Sequence, residues 1–350
     1  MGKTVAITEQ GTSLHLSGEV LELRKSGKRA MTIKLAELEQ LLLFGQVELT
    51  HAATVELLKR NVDVVFLSRG GRFYGRLVTR ASRHVDLRVR QYRVLGDEAR
   101  AFSLAKSIVA AKVKNQRHLL LRAQASLGDE RIAEILLRLR HLAEDAASAQ
   151  NREELLGIEG AAAQAYFSGF ALAIRNPLFS FSGRNRRPPR DPVNACLSFG
   201  YALLATLAEG EVAACGLDPL LGAFHQPEYG RPSLALDVME EFRAPIVDAV
   251  VLRLINRRQL VPADFGSPSE AFGEDQLALP PGEVGENKAV YLLETGRKIF
   301  LKEFLRRLRE EVFDPRDGVT VDFRSVLRGQ IYRIARFLRD EGTYEPFIMR

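Results

Sequence analysis

The feature that most constrains the fold is a change in the spacing of apolar residues near residue 95. Before it, apolar and polar residues alternate in short runs such as Val20 to Arg24, a pattern typical of half-buried strands. After it, from Asp97 to Ala125, apolar residues recur every three or four positions, as in an amphipathic helix. The sequence therefore predicts an α+β fold, with a small N-terminal β-rich domain followed by a larger, mostly α-helical domain.

The N-terminal part contains two predicted strand pairs. The run from Val20 to Arg24 is followed by a polar turn, Lys25 to Lys28, and by a second alternating run from Met31 to Leu35, which is a hairpin pattern. The apolar run Val62 to Ser68 and the segment Phe73 to Val78 flank Gly70-Gly71 and predict a buried strand turning into another. Two short helices are predicted between these pairs, near residues 37–44 and 51–59.

The later part is predicted to be a series of helices. They cover residues 97–125, 131–149, a segment opening at Asn151, and residues 192–207, 232–256 and 289–312. Asn151 and Glu154 have the spacing of a capping box. The Gly-, Pro- and acid-rich stretch 262–287 is predicted to be a long loop. We place the domain boundary in the arginine-rich segment 85–96, which gives a β-rich domain over 1–90 and an α-helical domain over 91–350.

Composition places few limits on partners. Hydrophobic residues make up 46% and charged residues 27% of the chain, with a net charge of +6, values that are ordinary for a globular protein and only weakly favour nucleic acid. The sequence contains no run of about 20 apolar residues, the length needed to span a membrane. The first 11 residues lack the apolar core of a secretory signal. We expect a cytoplasmic protein, with Cys196 and Cys215 acting as small apolar residues.

Glu159 does not suit its surroundings. The neighbours on its face of the predicted helix include Leu155, Ala162 and Tyr166. Burying a carboxylate in such a stripe is costly unless it is paired. Position alone leaves two interpretations: a functional carboxylate, or an edge glutamate satisfied by an arginine.

A second group of polar residues lies between 222 and 243. His225 stands in an irregular Gly- and Pro-containing turn, and Asp237 and Glu240 are three residues apart on one helix face. Each has an ordinary interpretation, as a loop histidine or as solvated acids tied to Arg243. Together with Glu159 they form a mixed oxygen and nitrogen donor set suited to Mg²⁺ or Mn²⁺, whereas zinc more often has additional His or Cys ligands.

Several phrases resemble those of the CRISPR-associated integrase family. They are Gly157-Ile158-Glu159-Gly160-Ala161-Ala162 with Tyr166-Phe167, Arg186-Arg187-Pro188-Pro189-Arg190-Asp191-Pro192-Val193-Asn194-Ala195 with Ser198-Phe199-Gly200-Tyr201, Gly222-Ala223-Phe224-His225, Leu236-Asp237-Val238-Met239-Glu240-Glu241-Phe242-Arg243, Ser68-Arg69-Gly70-Gly71-Arg72 and Asn115-Gln116. Their order and spacing match the family most closely over residues 150–250. The stretch 262–287 is the weakest part of the resemblance.

The resemblance implies a catalytic metal site and a reaction. Glu159, His225 and Glu240 correspond to the family's Mg²⁺ or Mn²⁺ ligands, with Asp237 and Glu241 as acids behind them. The implied reaction is attack by the 3′-hydroxyl of protospacer DNA on a phosphodiester at the edge of a CRISPR repeat. Carboxylates and a divalent ion suit such phosphoryl transfer.

DNA and protein partners are expected as well. Four arginines, Arg184, Arg186, Arg187 and Arg190, stand around the rigid Pro188-Pro189 pair and are candidates for phosphate contacts; the alternative is a solvated basic loop. Lys106, Lys112 and Lys114 are weaker candidates, because a charged helix face is usually only solvated. The resemblance also implies a homodimer formed by the β domains, a small ferredoxin-like CRISPR adaptation partner, and no membrane partner.

Two other functions stay open. One is a metal-dependent nuclease that acts on branched or single-stranded DNA without integration. The other is a non-enzymatic DNA-binding scaffold whose acids are merely structural.

Overall fold

The computed structural model describes residues 2–78, 84–185, 188–272 and 289–349. The chain divides into two compact units, one of residues 1–81 and 264–301 and the other of residues 82–263 and 302–350. The predicted division instead assigned everything after residue 90 to the helical domain. Phe272 and Arg297 of the later segment line a cavity of about 260 Å³ together with Phe44 and Arg69.

The first unit is built mainly from strands. Its elements before residue 82 are β1 (Lys3–Ile7), β2 (Thr12–Ser17), β3 (Val20–Lys25), β4 (Lys28–Lys34), β5 (Leu38–Phe44), β6 (Val47–Leu49), α1 (His51–Lys59), β7 (Asp63–Leu67) and β8 (Phe73–Leu77). They form two four-stranded sheets, in the orders β1-β5-β7-β8 and β4-β3-β2-β6. The later segment adds β9 (Phe265–Gly266), α9 (Pro268–Phe272), β10 (Tyr291–Leu292) and the start of α10 (Glu294–Leu308).

Both predicted strand pairs are confirmed. Strands β3 and β4 pair antiparallel, and their two-residue turn has positive φ at Ser26 and Gly27, as tight hairpins require. Strand β7 is paired on both sides, to β5 and β8. The predicted helix over 51–59 is confirmed as α1, which Thr50 caps.

The predicted helix over 37–44 is wrong. Residues Leu38–Phe44 form β5, which lies between β1 and β7 and pairs parallel with both. Because a strand in this position is covered on both faces, its side chains form a nearly continuous buried run instead of alternating. A short apolar run of this kind cannot be distinguished from a buried helix by its spacing.

The second unit is mostly helical. It comprises α2 (Val85–Gly96), α3 (Glu98–Leu127), α4 (Glu130–Ser148), α5 (Arg152–Ala173), α6 (Pro192–Ala214), α7 (Ser233–Glu240), α8 (Ala249–Asn256), the rest of α10, the hairpin β11 (Glu311–Asp314) and β12 (Val319–Asp322), and α11 (Phe323–Leu338). The predicted fold class, a β-rich N-terminal part and a mostly helical second part, is confirmed.

Helix starts follow capping signals in the sequence. The side chain of Asn151 accepts a hydrogen bond from the backbone N–H of Glu154, and Asp97 and Asp191 cap α3 and α6 in the same way. In return, Glu154 accepts from the backbone N–H of Gln150. These caps fix where α5 begins and therefore the depth of Glu159, two turns further along.

The predicted helix over 232–256 is divided in two. Helix α7 ends at Glu240, a π-helical segment covers Arg243–Asp248, and α8 follows. Pro245 lies in the wide segment, and such π segments often occur at functional sites. The predicted helix over 289–312 is observed as β10 and α10, and its last two residues belong to strand β11. Strand β12 and helix α11 lie in a part of the chain for which we made no prediction. The predicted loop over 262–287 begins with α9, and its residues 273–287 lie outside the described residues.

Candidate active site

The two predicted ligand carboxylates lie on either side of the Lys112 ammonium. Lys112 Nζ is 2.8 Å from Glu240 Oε2 and also forms an ion pair with Glu159 Oε1. The lysine comes from α3, Glu159 from α5 and Glu240 from the last position of α7. Three separate helices therefore bring these charges together.

The imidazole of His225 completes the group. His225 Nε2 lies 3.9 Å from Glu240 Oε1, and Nδ1 lies 2.7 Å from Asp237 Oδ1. Because an ionised carboxylate only accepts hydrogen bonds, Nδ1 carries the proton that faces Asp237. The lone pair of Nε2 is therefore directed to the Glu240 side of the ring, where it is available as a ligand or a base.

Asp237 also holds the turn that carries His225. Its carboxylate accepts hydrogen bonds from the backbone N–H groups of Phe224 and His225, both at 2.9 Å. A Cβ at Gly222 would lie 2.5 Å from Asp237 Oδ2 and 2.7 Å from the Ser233 carbonyl carbon, so the close approach requires glycine.

The turn is anchored to the helices as well. Arg152 donates hydrogen bonds to the carbonyl oxygens of Phe224 and Ala223, at 2.9 and 3.0 Å. The Phe224 ring is buried in a cluster with Val109 and Leu155, which belong to α3 and α5. The residue next to His225 is thus fixed by packing, and the histidine has little freedom to drift from the carboxylates.

Positive charge keeps Glu240 ionised. The side chain is buried, and burial by itself would raise the pKa of its carboxyl group. The charges of Arg243 and Lys112 outweigh burial and lower that pKa to about 2. Arg243 Nε is 3.0 Å from Glu240 Oε1, and the guanidinium lies over the Tyr201 ring at 4.5 Å. The ion pair between Glu240 and Arg243, which the sequence analysis gave as an alternative to a shared site, is therefore present. It occurs together with the contacts of Glu240 to Lys112 and His225.

Glu241 points away from this site. Its carboxylate accepts hydrogen bonds from the backbone N–H of Phe347 at 2.7 Å and from Gln330 Nε2 at 3.0 Å, and the hydroxyl of Tyr344 donates to its other oxygen. Asn115 reinforces the same junction, donating to the carbonyl oxygens of Glu241 and Phe347. Glu241 thus fastens the C-terminal stretch to the segment after α7.

Lys112 is the site residue that the sequence interpretation missed. It was weighed only as one charge on a solvated face, yet its side chain is 8% exposed. The signal was present: Lys112 interrupts the apolar run Ile108 to Val113 and stands on the same helix face as Asn115 and Gln116. A lysine in such a run is rarely buried without a partner.

The donor set fits a hard divalent cation in its chemistry, with two carboxylates and one imidazole nitrogen. The Lys112 ammonium, however, lies against both carboxylates. As they stand, the side chains in the described ranges include no group of three or more His, Cys, Asp or Glu residues placed to hold a metal ion. A metal would need the ammonium to move away.

The arginine-rich segment is described in part. Arg186 and Arg187 lie outside the described residues. The guanidinium of Arg184 donates to Asn194 Oδ1 at 2.7 Å and to Ser198 Oγ at 3.0 Å, so it braces the segment against α6. Arg190 is exposed. Contacts between DNA and these arginines remain a prediction.

Comparison with known proteins decides the family. The model of the family described as CRISPR associated protein Cas1 matches residues 5–306 of the chain. The chain belongs to the Cas1 family.

Relatives in the Cas1 family cover nearly the whole chain. A CRISPR-associated endonuclease Cas1 of Thermus thermophilus is 34% identical over 349 residues, which are 99% of this chain and 97% of that protein. A CRISPR-associated exonuclease Cas4/endonuclease Cas1 fusion of Geobacter sulfurreducens is 38% identical over 341 residues. The chain spans 58% of that fusion and 54% of a similar fusion of Rhodospirillum rubrum.

Solved structures share the Cas1 fold. A Cas1 protein from Thermotoga maritima has a TM-score of 0.78 at 24% identity, with 98% of each chain covered. A casposase bound to integration product has a TM-score of 0.78 at 23% identity, covering 98% of this chain and 92% of the casposase. A chain of a Cas6-RT-Cas1–Cas2 complex has a TM-score of 0.79 at 24% identity, covering all of this chain and 36% of the other. None of the helices described for the present chain is long and apolar enough to cross a membrane.

Proposed function

We propose that this chain is a metal-dependent DNA endonuclease and integrase that inserts protospacer DNA into a CRISPR array. The observation that carries the proposal is the convergence of Glu159, Glu240 and His225 from two helices and the turn between them. Membership in the Cas1 family and the fold shared with a casposase support it. The reaction joins the 3′-hydroxyl of a protospacer to a phosphodiester at the repeat edge, with release of the strand that was bonded there.

Glu159, Glu240 and Nε2 of His225 would hold the metal, Mg²⁺ or Mn²⁺. When bound, such an ion supplies charge that polarises the phosphoryl oxygen and stabilises the negative charge developing in the transition state. The two carboxylates suit a hard cation, and the position of Nε2 beside Glu240 adds a nitrogen donor.

The other residues around the site prepare these groups. Asp237 fixes the ring orientation and the protonated nitrogen of His225, as a carboxylate behind a metal-binding histidine commonly does. Arg243 holds Glu240 from the side of Oε1. This arrangement limits the rotation of both side chains before DNA binds, which is what precise phosphoryl transfer needs.

Arginine holds the DNA phosphates near this acidic site in our proposal. Arg186, Arg187 and Arg190 are the candidates for phosphate contacts, and Arg184 maintains the conformation of the segment through Asn194 and Ser198. Such contacts position a duplex without reading its sequence.

We also propose a cytoplasmic homodimer, formed through the β-rich unit, that works with a small ferredoxin-like adaptation protein. The fold shared with a chain of a Cas6-RT-Cas1–Cas2 complex supports a partner of this kind.

The test is a strand-transfer assay with labelled protospacer DNA, a repeat-bearing plasmid and Mn²⁺, with and without the small partner. We expect joined products from the wild type, and no joined or cleaved products from Glu159→Ala, which should still bind DNA. Cleaved fragments without joining, in the presence of the partner, would instead indicate a nuclease acting on branched or single-stranded DNA. A fully active Glu159→Ala variant would contradict the site.

Replacing Arg186 and Arg187 together with alanine should weaken DNA binding on all sequences, because contacts to phosphate do not read bases. The slope of log affinity against log salt concentration should decrease in magnitude by roughly 2, about 1 for each phosphate contact removed. Fluorescence anisotropy at several salt concentrations measures both effects. An unchanged salt slope would show that these arginines do not touch phosphate.

A further inference from the structure

Lys112 is a buried lysine whose ammonium is surrounded by acids. Its side chain is 8% exposed, and Nζ contacts Glu240 Oε2 at 2.8 Å and pairs with Glu159 Oε1. Burying an unpaired ammonium costs much free energy. The two carboxylates are what make this position acceptable for a lysine.

The same contact stabilises the acids. Glu159 and Glu240 share one neighbouring cation, and without it two negative charges would face each other across a partly desolvated space. Arg243 cannot replace it, because its guanidinium lies at Oε1 of Glu240 and is held over the Tyr201 ring. Lys112 is therefore the charge that bridges the two carboxylates.

The bridging oxygens belong to the two carboxylates that the proposed function assigns to the metal. We infer that Lys112 is a built-in counter-cation: its ammonium holds Glu159 and Glu240 together in the metal-free protein and must leave them when a divalent ion binds. This inference rests on the metal site of the proposed function. It assigns to Lys112 a positioning role that also sets the affinity of the site for divalent ions.

The side chains differ in a way that allows this exchange. Lys112 carries its charge on a flexible four-carbon chain, whereas the planar guanidinium of Arg243 is stacked and fixed. An ammonium and a divalent cation cannot occupy the same position between two carboxylates. The lysine therefore competes with the metal for the carboxylates of Glu159 and Glu240.

Mn²⁺ binding measured by calorimetry on the full chain tests the inference. Lys112→Met removes the charge and keeps the length, so it should bind Mn²⁺ roughly tenfold or more tightly than the wild type, because no ammonium has to be displaced. In EDTA the same variant should unfold at a lower temperature, and Mn²⁺ should raise its unfolding temperature by more than it raises that of the wild type. Lys114→Met is the matched control, since Lys114 is exposed two residues along the same helix, and it should change neither quantity.

A labelling experiment on the wild-type protein gives a second measurement that does not depend on a variant folding. An amine-acylating reagent should modify Lys112 slowly in EDTA and several times faster with Mn²⁺, while Lys114 reacts equally in both. Peptide mass spectrometry reads each site. Mn²⁺ affinity that is unchanged or weaker in Lys112→Met, or labelling of Lys112 that does not respond to Mn²⁺, overturns the inference.

The same experiments separate this inference from the proposed metal site. If the wild type binds Mn²⁺ and Glu159→Ala does not, the metal site stands whatever Lys112 does. If neither the wild type nor Lys112→Met binds Mn²⁺, the metal site itself is wrong and the inference falls with it.

Discussion

Two adjacent carboxylates, Glu240 and Glu241, lie in opposite kinds of surroundings. Both are buried. Glu240 faces Arg243, Lys112 and His225, and its pKa is lowered to about 2. Glu241 faces a tyrosine hydroxyl, an amide side chain and a backbone N–H, and burial raises its pKa to about 7 despite those hydrogen bonds.

The charges of the two acids follow from their partners. The cations around Glu240 keep its carboxylate negatively charged. The neighbouring Glu159 side chain is 20% exposed, so solvent reaches this part of the site. Neutral donors around Glu241 satisfy a carboxylate that joins the C-terminal stretch to α7. Asp248 repeats the second arrangement, accepting hydrogen bonds from Tyr166 and Tyr201 at 2.6 Å each. The partners of a buried acid thus decide whether its carboxyl group stays ionised.

Exchanging each glutamate for its neutral amide should separate the two acids most strongly. Glu240→Gln should lower the rate of strand joining by roughly 10²–10³-fold, because it removes charge where the reaction needs it. Glu241→Gln should leave the rate per folded molecule within a few-fold. The rates come from the strand-transfer assay, with circular dichroism as the check on folding. Equal losses in the two variants would mean that both acids act in the same way.

Asp237→Asn should have a smaller effect than loss of Glu240. The amide cannot hold the imidazole and the turn as the carboxylate does, so Mn²⁺ affinity should fall by roughly 10- to 100-fold. Calorimetry measures the affinity. An unchanged value would show that packing of Phe224 alone positions His225.

Stability should respond in the opposite order to activity. Glu241→Ala leaves Tyr344, Gln330 and the Phe347 N–H without their acceptor, so it should reduce the free energy of unfolding by about 1–3 kcal/mol. Glu159→Ala leaves Lys112 paired with Glu240 and should cost less. Urea unfolding in EDTA compares the two variants. A greater loss for Glu159→Ala would reverse the roles we assign.

The pH dependence of stability should change least among these properties. Burial raises the pKa of Asp248 from 3.8 to about 6, against hydrogen bonds from Tyr166 and Tyr201. The folded state therefore holds this proton more tightly than the unfolded state, and the resulting stability is complete below about pH 4 and is lost as pH rises towards about 6.

Asp248→Asn removes that proton and should make stability fall less steeply over this range. Urea unfolding at several pH values measures the slope. A slope identical to that of the wild type would show that other groups, such as Glu241, carry the whole dependence.

The sequence predicted most of the fold because its signals were local. Caps at Asp97 and Asn151, the Ser26-Gly27 turn and the change of period near residue 95 each act within a few residues. Strand β5 was assigned as a helix because burial on both faces removes the alternation that marks a strand. The grouping of residues 264–301 with the first unit depends on contacts between segments far apart in sequence. The spacing of apolar residues carries no information about such contacts.

Some residues of the candidate site could also be predicted from the sequence, and others could not. Glu159, His225 and Glu240 could be named because each is a polar residue in an unsuitable place and because the family phrases contain them. Lys112 could not be assigned to the site, because its role depends on the meeting of α3, α5 and α7 in space. Glu241 was predicted to be an acid behind the ligands, although its side chain faces the C-terminal stretch.

Anomalous scattering of Mn²⁺ in crystals of the full chain tests whether Glu159, His225 and Glu240 share one metal ion. We predict one peak within roughly 2 Å of carboxylate oxygens of Glu159 and Glu240 and of Nε2 of His225, with the Lys112 ammonium displaced from both acids. A protein that leaves Lys112 between these carboxylates at saturating Mn²⁺, or that binds the ion elsewhere, would contradict the claim that the three residues share a metal ion.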